Sequence, residues 1–140
     1  MKKNLIKSYA KINLSLNVLR KEKTGFHKIQ SIISFLNFYD EIYIQRINKK
    51  KHFVKFIGPF SKNLNKKNTI SQLLHILDKK KFLNKKYKIQ VKKNVPQQSG
   101  LGGGSMNAAF LLNYFLKKKK IQLSKKEIFY ICNQIGSDVL

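Results

Sequence analysis

Apolar and polar residues along this 140-residue chain change period several times, and each change marks an element. Over residues 5–19, Leu5, Tyr9, Ile12, Leu14, Leu16 and Val18 alternate loosely with polar neighbours. That two-residue period predicts one or two strands, broken near residues 8–10. Residues 20–27, R-K-E-K-T-G-F-H, form a polar connection turning at Gly25. Residues 29–38 and 41–47 carry strand patterns separated by a turn at Tyr39 and Asp40. A basic turn at 49–52 precedes a short strand at 53–57, which Gly58-Pro59 ends. Asn68 then caps a segment where Ile70, Leu73, Leu74 and Leu77 recur at helical spacing, with His75 on the solvent side. Strand alternation returns at 87–91. A second helical stripe of Ala108, Leu111, Leu112, Phe115 and Leu116 runs into solvated lysines at 117–120. Ser124 and Glu127 form a capping box for a last helix, whose apolar face is Ile128, Ile131, Cys132 and Ile135 and whose end is Gly136. Strands, helix, strand, helix, helix fits an α+β or mixed α/β fold in one domain. The chain stops on Val139 and Leu140 just past that helix, which reads as a domain cut before its end.

The second stripe is preceded by P-Q-Q-S-G-L-G-G-G-S-M-N, from Pro96 to Asn107, with glycines at 100, 102, 103 and 104. Glycine opens left-handed backbone angles and removes the Cβ that would keep a ligand away. A glycine loop running into a helix start presents unpaired N–H groups at the positive end of the macrodipole, which suits a phosphate. The loop is not a Walker A motif, because no Gly-Lys-Ser/Thr occurs, and it is not G-x-G-x-x-G, because Ser105 stands three residues after Gly102. Ser105 can donate to a phosphate, contact Mg²⁺ or simply cap the helix.

Charge is the strongest compositional signal: 30 basic residues against 6 acidic, a net +24. Clustered lysines favour nucleic acid through counterion release. Only Arg20 and Arg46 are arginines, however, and base-edge readers favour the bidentate guanidinium. Heavy use of Lys, Asn, Ile and Phe, which have AT-rich codons, reads as drifted composition, with a basic nucleic-acid-binding module as the competing reading. A 42% hydrophobic fraction with 11% aromatics fits a globular protein and not a disordered tail. No apolar run approaches the roughly 20 residues of a membrane span, and the N-terminus lacks a secretory h-region. Lone Cys132 cannot form an internal disulfide, so the expected compartment is the cytoplasm, with no membrane partner.

Phosphoryl transfer needs a carboxylate and cationic help. Of the six carboxylates, Glu22, Asp40 and Glu41 fall in or beside turns, Asp78 on the polar side of a helix and Glu127 in the capping box. Asp138 remains, in Gly-Ser-Asp after the last helix, as a base or as a solvated carboxylate. Lys11, inside the apolar Y-A-K-I-N-L, either snorkels to water or meets an anion, and Asn13 shares its side of the strand. Phe26 and His27 at a loop mouth can stack a base or cover a core edge. No His/Cys cluster suggests zinc, and no G-x-S-x-G elbow suggests a serine hydrolase.

Three separated segments, A-K-I-N-L at 10–14, P-x-x-x-G-L-G-G-G-S-x-N-A-A from Pro96 and G-S-D at 136–138, resemble the GHMP kinases. Together with Gly25-Phe26-His27 and the triple glycine, the pattern is similar to the family's branch acting on a cytidine diphosphate-linked methylerythritol in non-mevalonate isoprenoid synthesis. The resemblance covers residues 7–139. It implies that residues 1–140 are the N-terminal, ATP-binding domain of an α+β kinase, a mixed sheet packed against helices with a left-handed crossover feature, lacking its C-terminal lobe. The implied activity is phosphorylation of a substrate hydroxyl using ATP and Mg²⁺. By the same resemblance Asp138 is the base, and Lys11 holds the hydroxyl or stabilises transition-state charge. Asn13 meets the methylerythritol part, and Phe26 (where tyrosine is usual) and His27 meet the cytidine part. Lys93 lies near substrate or phosphate. The ATP loop comprises Pro96, Gln97, Gln98, Ser99, Gly100, Leu101, Gly102, Gly103, Gly104, Ser105 and Met106, with Ser105 toward the metal. Gln98 and Ser99 stand where glycine or alanine is usual, Met106 where a second serine is common, and Leu140 where proline follows Asp-Val. Another GHMP small-molecule kinase, for homoserine or mevalonate, and an inactive fragment are the remaining alternatives.

Overall fold

A two-residue period decides which way the central strand faces: from Tyr39 to Gln45, even-numbered residues of that strand point inward and odd ones outward. In the computed structural model, which describes residues 3–22, 27–62, 64 and 68–136, this strand is β2 (His27–Ile47). It pairs antiparallel with β1 (Asn4–Lys21) on one side and β4 (Lys86–Lys92) on the other. β3 (Phe53–Ile57) pairs parallel with β4, giving the order β1-β2-β4-β3. The chain crosses from β3 to its parallel neighbour through α1 (Thr69–Lys79), then leaves β4 into α2 (Gly103–Lys117) and α3 (Lys125–Ile135). The α+β sheet is mixed and packed against helices, as the resemblance to the GHMP kinases implies.

One core joins these layers. Ile42, Ile44, Ile89 and Val91 from the sheet meet Ile70, Leu73, Leu74 and Leu77 of α1 and Ala108, Leu111, Leu112 and Phe115 of α2. Ile131 and Cys132 of α3 close it, while Ile128 and Ile135 are half-buried at its margin. Asn68 caps α1 by accepting from the Ser71 N–H, and Ser124 with Glu127 forms the expected box on α3.

Two sequence expectations are corrected. Tyr39 and Asp40 are not a turn: β2 runs through them without interruption. Asp40 occupies the inward row of Ile42 and Ile44 and is fully buried, and its carboxylate finds donors inside the protein, so the chain need not turn to hydrate it. The break near residues 8–10 is also not a strand end. β1 continues, and Tyr9↔Tyr39 is followed by Lys11↔Phe35, a register shift absorbed by extra residues in β2. Beyond it, β1 and β2 form a long two-stranded ribbon on which Leu14, Leu16, Val18, Ile29, Ile32, Ile33 and Phe35 are exposed.

Candidate functional site

The last strand of the sheet delivers the chain to the glycine segment, whose backbone sets the site's character. Positive φ recurs at Gln98 (55°), Gly100 (75°) and Gly102 (67°), alternating with ordinary φ at the residues between. Such alternation turns successive N–H groups toward one side and forms an anion-binding concavity. Gly102 is the residue before α2 and supplies no side-chain cap, unlike Asn68 and Ser124 on the other helices. The first intrahelical bond of α2 runs from the Met106 N–H to the Gly102 carbonyl, 2.8 Å. The N–H groups of Gly103, Gly104 and Ser105 therefore precede the helical ladder and face outward from its positive end.

The glycines differ in what makes them necessary. A Cβ on Gly102 would sit 3.1 and 3.2 Å from Cγ and Cε of Lys11, on a residue already left-handed. A Cβ on Gly103 would meet Val95 Cγ1 at 3.1 Å and Lys93 Nζ at 3.2 Å. On Gly104 it would meet only Thr69, at 3.7 and 3.8 Å, which is ordinary contact. Protein packing thus dictates glycine at 102 and 103 but not at 104.

Beneath the loop lies a buried polar cluster. Asp40 Oδ1 accepts the backbone N–H groups of Asn94 and Val95, each at 2.8 Å. Its Oδ2 accepts from Lys93 Nζ and from Asn107 Nδ2, the latter at 3.0 Å. Lys93 is thus buried and ion-paired at the cavity floor, not an open surface cation. Asp40 is the functional-site residue that sequence reasoning missed. The available signal was its parity with Ile42 and Ile44, which places it inward.

A cavity of about 390 Å³ opens over this floor. Its walls are Pro96, Gln97, Gln98, Ser99, Gly100, Gly102, Gly103, Gly104 and Ser105 of the loop, with Phe56, Leu64 and the start of α1 at Asn68 and Thr69 opposite. Two ties hold these walls together. The Thr69 hydroxyl donates to the Gly104 carbonyl at 2.7 Å, and Gln97 Nε2 donates to the carbonyls of Phe60 and Lys62 at 2.9 and 2.8 Å. Of the predicted loop residues, Leu101 turns its carbonyl to the Lys11 N–H, 3.1 Å, and Met106 is buried within α2. Neither lines the cavity.

Lys11 is brought to the loop: its backbone bonds Leu101 and its stem lies along Gly102. Asn13 follows two residues later, exposed and paired with Ile33. His27 is not brought there. It is exposed at the far end of the ribbon opposite Lys21, eight residues beyond Asn13, roughly 26 Å along an extended strand. Phe26 and Asp138 lie outside the described residues. Among the described residues no three His, Cys, Asp or Glu side chains are grouped to hold a metal. No helix among them is long and apolar enough to cross a membrane.

Comparison with known proteins bears on this geometry directly. Residues 68–140 match the GHMP kinases N terminal domain. A curated relative from Pelagibacter ubique (strain HTCC1062), 4-diphosphocytidyl-2-C-methyl-D-erythritol kinase, is 57% identical over 136 residues, covering 96% of this chain and 48% of the relative. The protein of the same name from Finegoldia magna is 37% identical over 137 residues, covering 95% of this chain and 48% of its own length. The chain therefore spans about half the length of the curated relatives it matches. A crystal structure of 4-(cytidine 5'-diphospho)-2C-methyl-D-erythritol kinase superposes with a TM-score of 0.71 at 22% identity, covering 97% of this chain and 47% of that one. Mevalonate kinase from Staphylococcus aureus gives a TM-score of 0.60 at 17% identity, covering 96% and 45%. At such identities the structural likenesses show a shared fold.

Proposed function

This chain belongs to the GHMP kinases, and from that membership we propose that it is the N-terminal, ATP-binding domain of a kinase that phosphorylates a hydroxyl of a cytidine diphosphate-linked methylerythritol. The observation that carries the reading is the uncapped start of α2, where three N–H groups meet the alternating-φ loop at the rim of a cavity sized for a nucleotide. The 57% identical relative supports the choice of acceptor.

In this reading the loop holds the β- and γ-phosphates through the N–H groups of Gly103, Gly104 and Ser105. The nucleoside end extends toward Phe56, Leu64 and Asn68. Mg²⁺, when bound, neutralises charge between the phosphates, and Ser105 is the side chain in position to contact it. The acceptor oxygen bonds to the γ-phosphorus as the bond to the β–γ bridging oxygen breaks. ADP leaves, and the hydroxyl proton passes to the carboxylate of Asp138. Lys11, its stem fixed against Gly102, directs its ammonium to the acceptor hydroxyl and to charge on the transferring group. Asn13 meets the methylerythritol unit. Phe26 and His27 take the cytidine end, along a ribbon that two register shifts between Asn13 and Arg20 bend.

Transfer of the terminal phosphate of radiolabelled ATP by the complete protein tests this. The expected acceptor is the cytidine diphosphate-linked methylerythritol, favoured over homoserine and mevalonate by at least about 10³-fold in kcat/KM, as for a site whose polar groups need the nucleotide. Preference for either competitor would reassign the substrate and leave the kinase chemistry standing.

A further inference from the structure

Asp40 stands 63 residues before Gly103 in the chain, yet it touches both ends of the glycine loop. Its Oδ1 holds the N–H groups of Asn94 and Val95, where the chain leaves β4. Its Oδ2 holds the Lys93 ammonium on that same side and the Asn107 amide in the second turn of α2 on the other. The ten residues between Pro96 and Ser105 are thus bracketed by one carboxylate.

The bracket extends upward. The Lys93 Nζ that Asp40 binds lies 3.2 Å from where a Cβ of Gly103 would stand, so the ammonium packs directly beneath the first residue of α2. Left alone, a cation there would oppose the positive end of the helix. Paired with Asp40, it is a neutral floor that supports Gly103 without repelling the helix start. The arrangement also has a cost. Asn107 commits its amide nitrogen to Asp40 while its own Oδ1 is buried without a hydrogen-bond partner among the described residues, as is Oγ of Ser8, the ladder partner of Asp40.

We propose that Asp40 is a positioning residue for nucleotide binding: through Lys93, Asn94, Val95 and Asn107 it fixes both ends of the loop so that the N–H groups of 103–105 converge on one phosphate. The proposal rests on the kinase reading above.

The test uses the complete protein, with MgATP affinity by calorimetry and KM for each substrate. Asp40→Asn keeps an acceptor for the two N–H groups but turns a donor toward Lys93 and Asn107. It is expected to weaken MgATP binding at least about tenfold while KM for the acceptor stays within about twofold, because a small misplacement of donors is felt by the ligand they hold. The pair Asp40→Asn/Lys93→Met removes the stranded charge. It is expected to recover the thermal midpoint without recovering MgATP affinity. MgATP affinity within about twofold of wild type in the paired variant, equal losses for both substrates, or failure of both variants to fold would overturn the positioning role. Wild-type protein that binds no MgATP would sink the kinase reading and this proposal with it. Wild-type binding with unaffected variants would sink this proposal alone.

Discussion

Gly102 and Gly104 stand two residues apart and predict opposite consequences of the same substitution. Gly102→Ala places a methyl against the Lys11 stem on a left-handed residue, which costs about 1–2 kcal/mol in backbone energy alone. It should also displace Lys11, lowering kcat by about 10²-fold. Gly104→Ala meets only ordinary contact with Thr69 and gains about 1 kcal/mol of helix propensity. Its thermal midpoint should hold or rise while MgATP affinity falls, because in the proposed site the phosphates occupy the space above it. Urea unfolding and calorimetric titration of the two variants separate these effects. A Gly104→Ala protein with intact affinity would show that no phosphate approaches that backbone. The glycine density and the helix beyond it were legible in the sequence because both are local. Which glycine answers to protein packing and which to ligand was not, since that depends on Lys11 and Thr69, brought in from distant segments. Asp40 was misread for a related reason: as an acid beside an apolar run it looks like a turn, and only its parity with Ile42 and Ile44 says otherwise.

At the scale of elements, local rules predicted the helices well. Asn68, Ser124 and Glu127 cap where expected, and the stripes of α1 and α2 bury the predicted residues except Leu116, which is half-buried. The strands were harder, because β1 and β2 are joined across three register shifts that no periodicity announces. One tie between elements was also invisible in sequence. Asp78 near the end of α1 bonds Lys86 at the start of β4 at 2.6 Å and His52 Nε2 at 3.1 Å. His52 Nδ1 in turn accepts the Tyr87 N–H at 3.0 Å. Burial alone would push the Asp78 carboxyl up, but the hydrogen bonds from Lys86 and His52 outweigh it and hold the group below its ordinary value. A carboxyl lowered by folding contributes stability above its unfolded pKa of about 4 and loses it as pH falls through the lower folded value. Asp78→Asn should therefore cost about 1–2 kcal/mol near pH 7. It should also flatten the fall in thermal midpoint between pH 5 and pH 3, which scanning calorimetry across that range measures. A variant with the wild-type acid slope would show that the tie does not discriminate the folded state.

Across the whole molecule, exposed apolar surface is concentrated on the β1–β2 ribbon, where Arg20, Lys21 and Lys28 also lie. The lysine runs at 49–51, 79–81 and 117–120 follow the ends of β2, α1 and α2, whereas α1 and α2 both begin beside the loop, joined by Thr69 and Gly104. Those runs hold ten of the 30 basic residues, and none of the ten lines the cavity. The exposed apolar residues of that ribbon lie beyond Lys11 along β1 and on the facing stretch of β2. In the proposed reaction, phosphate moves between the loop and an acceptor held by Lys11 and Asp138. Single-turnover transfer from MgATP by the complete protein, with Lys11→Ala and Asp138→Ala beside wild type, tests it most directly. Each variant should bind MgATP within about threefold of wild type but transfer phosphate at least about 10²-fold more slowly. Transfer at the wild-type rate in both variants would contradict it.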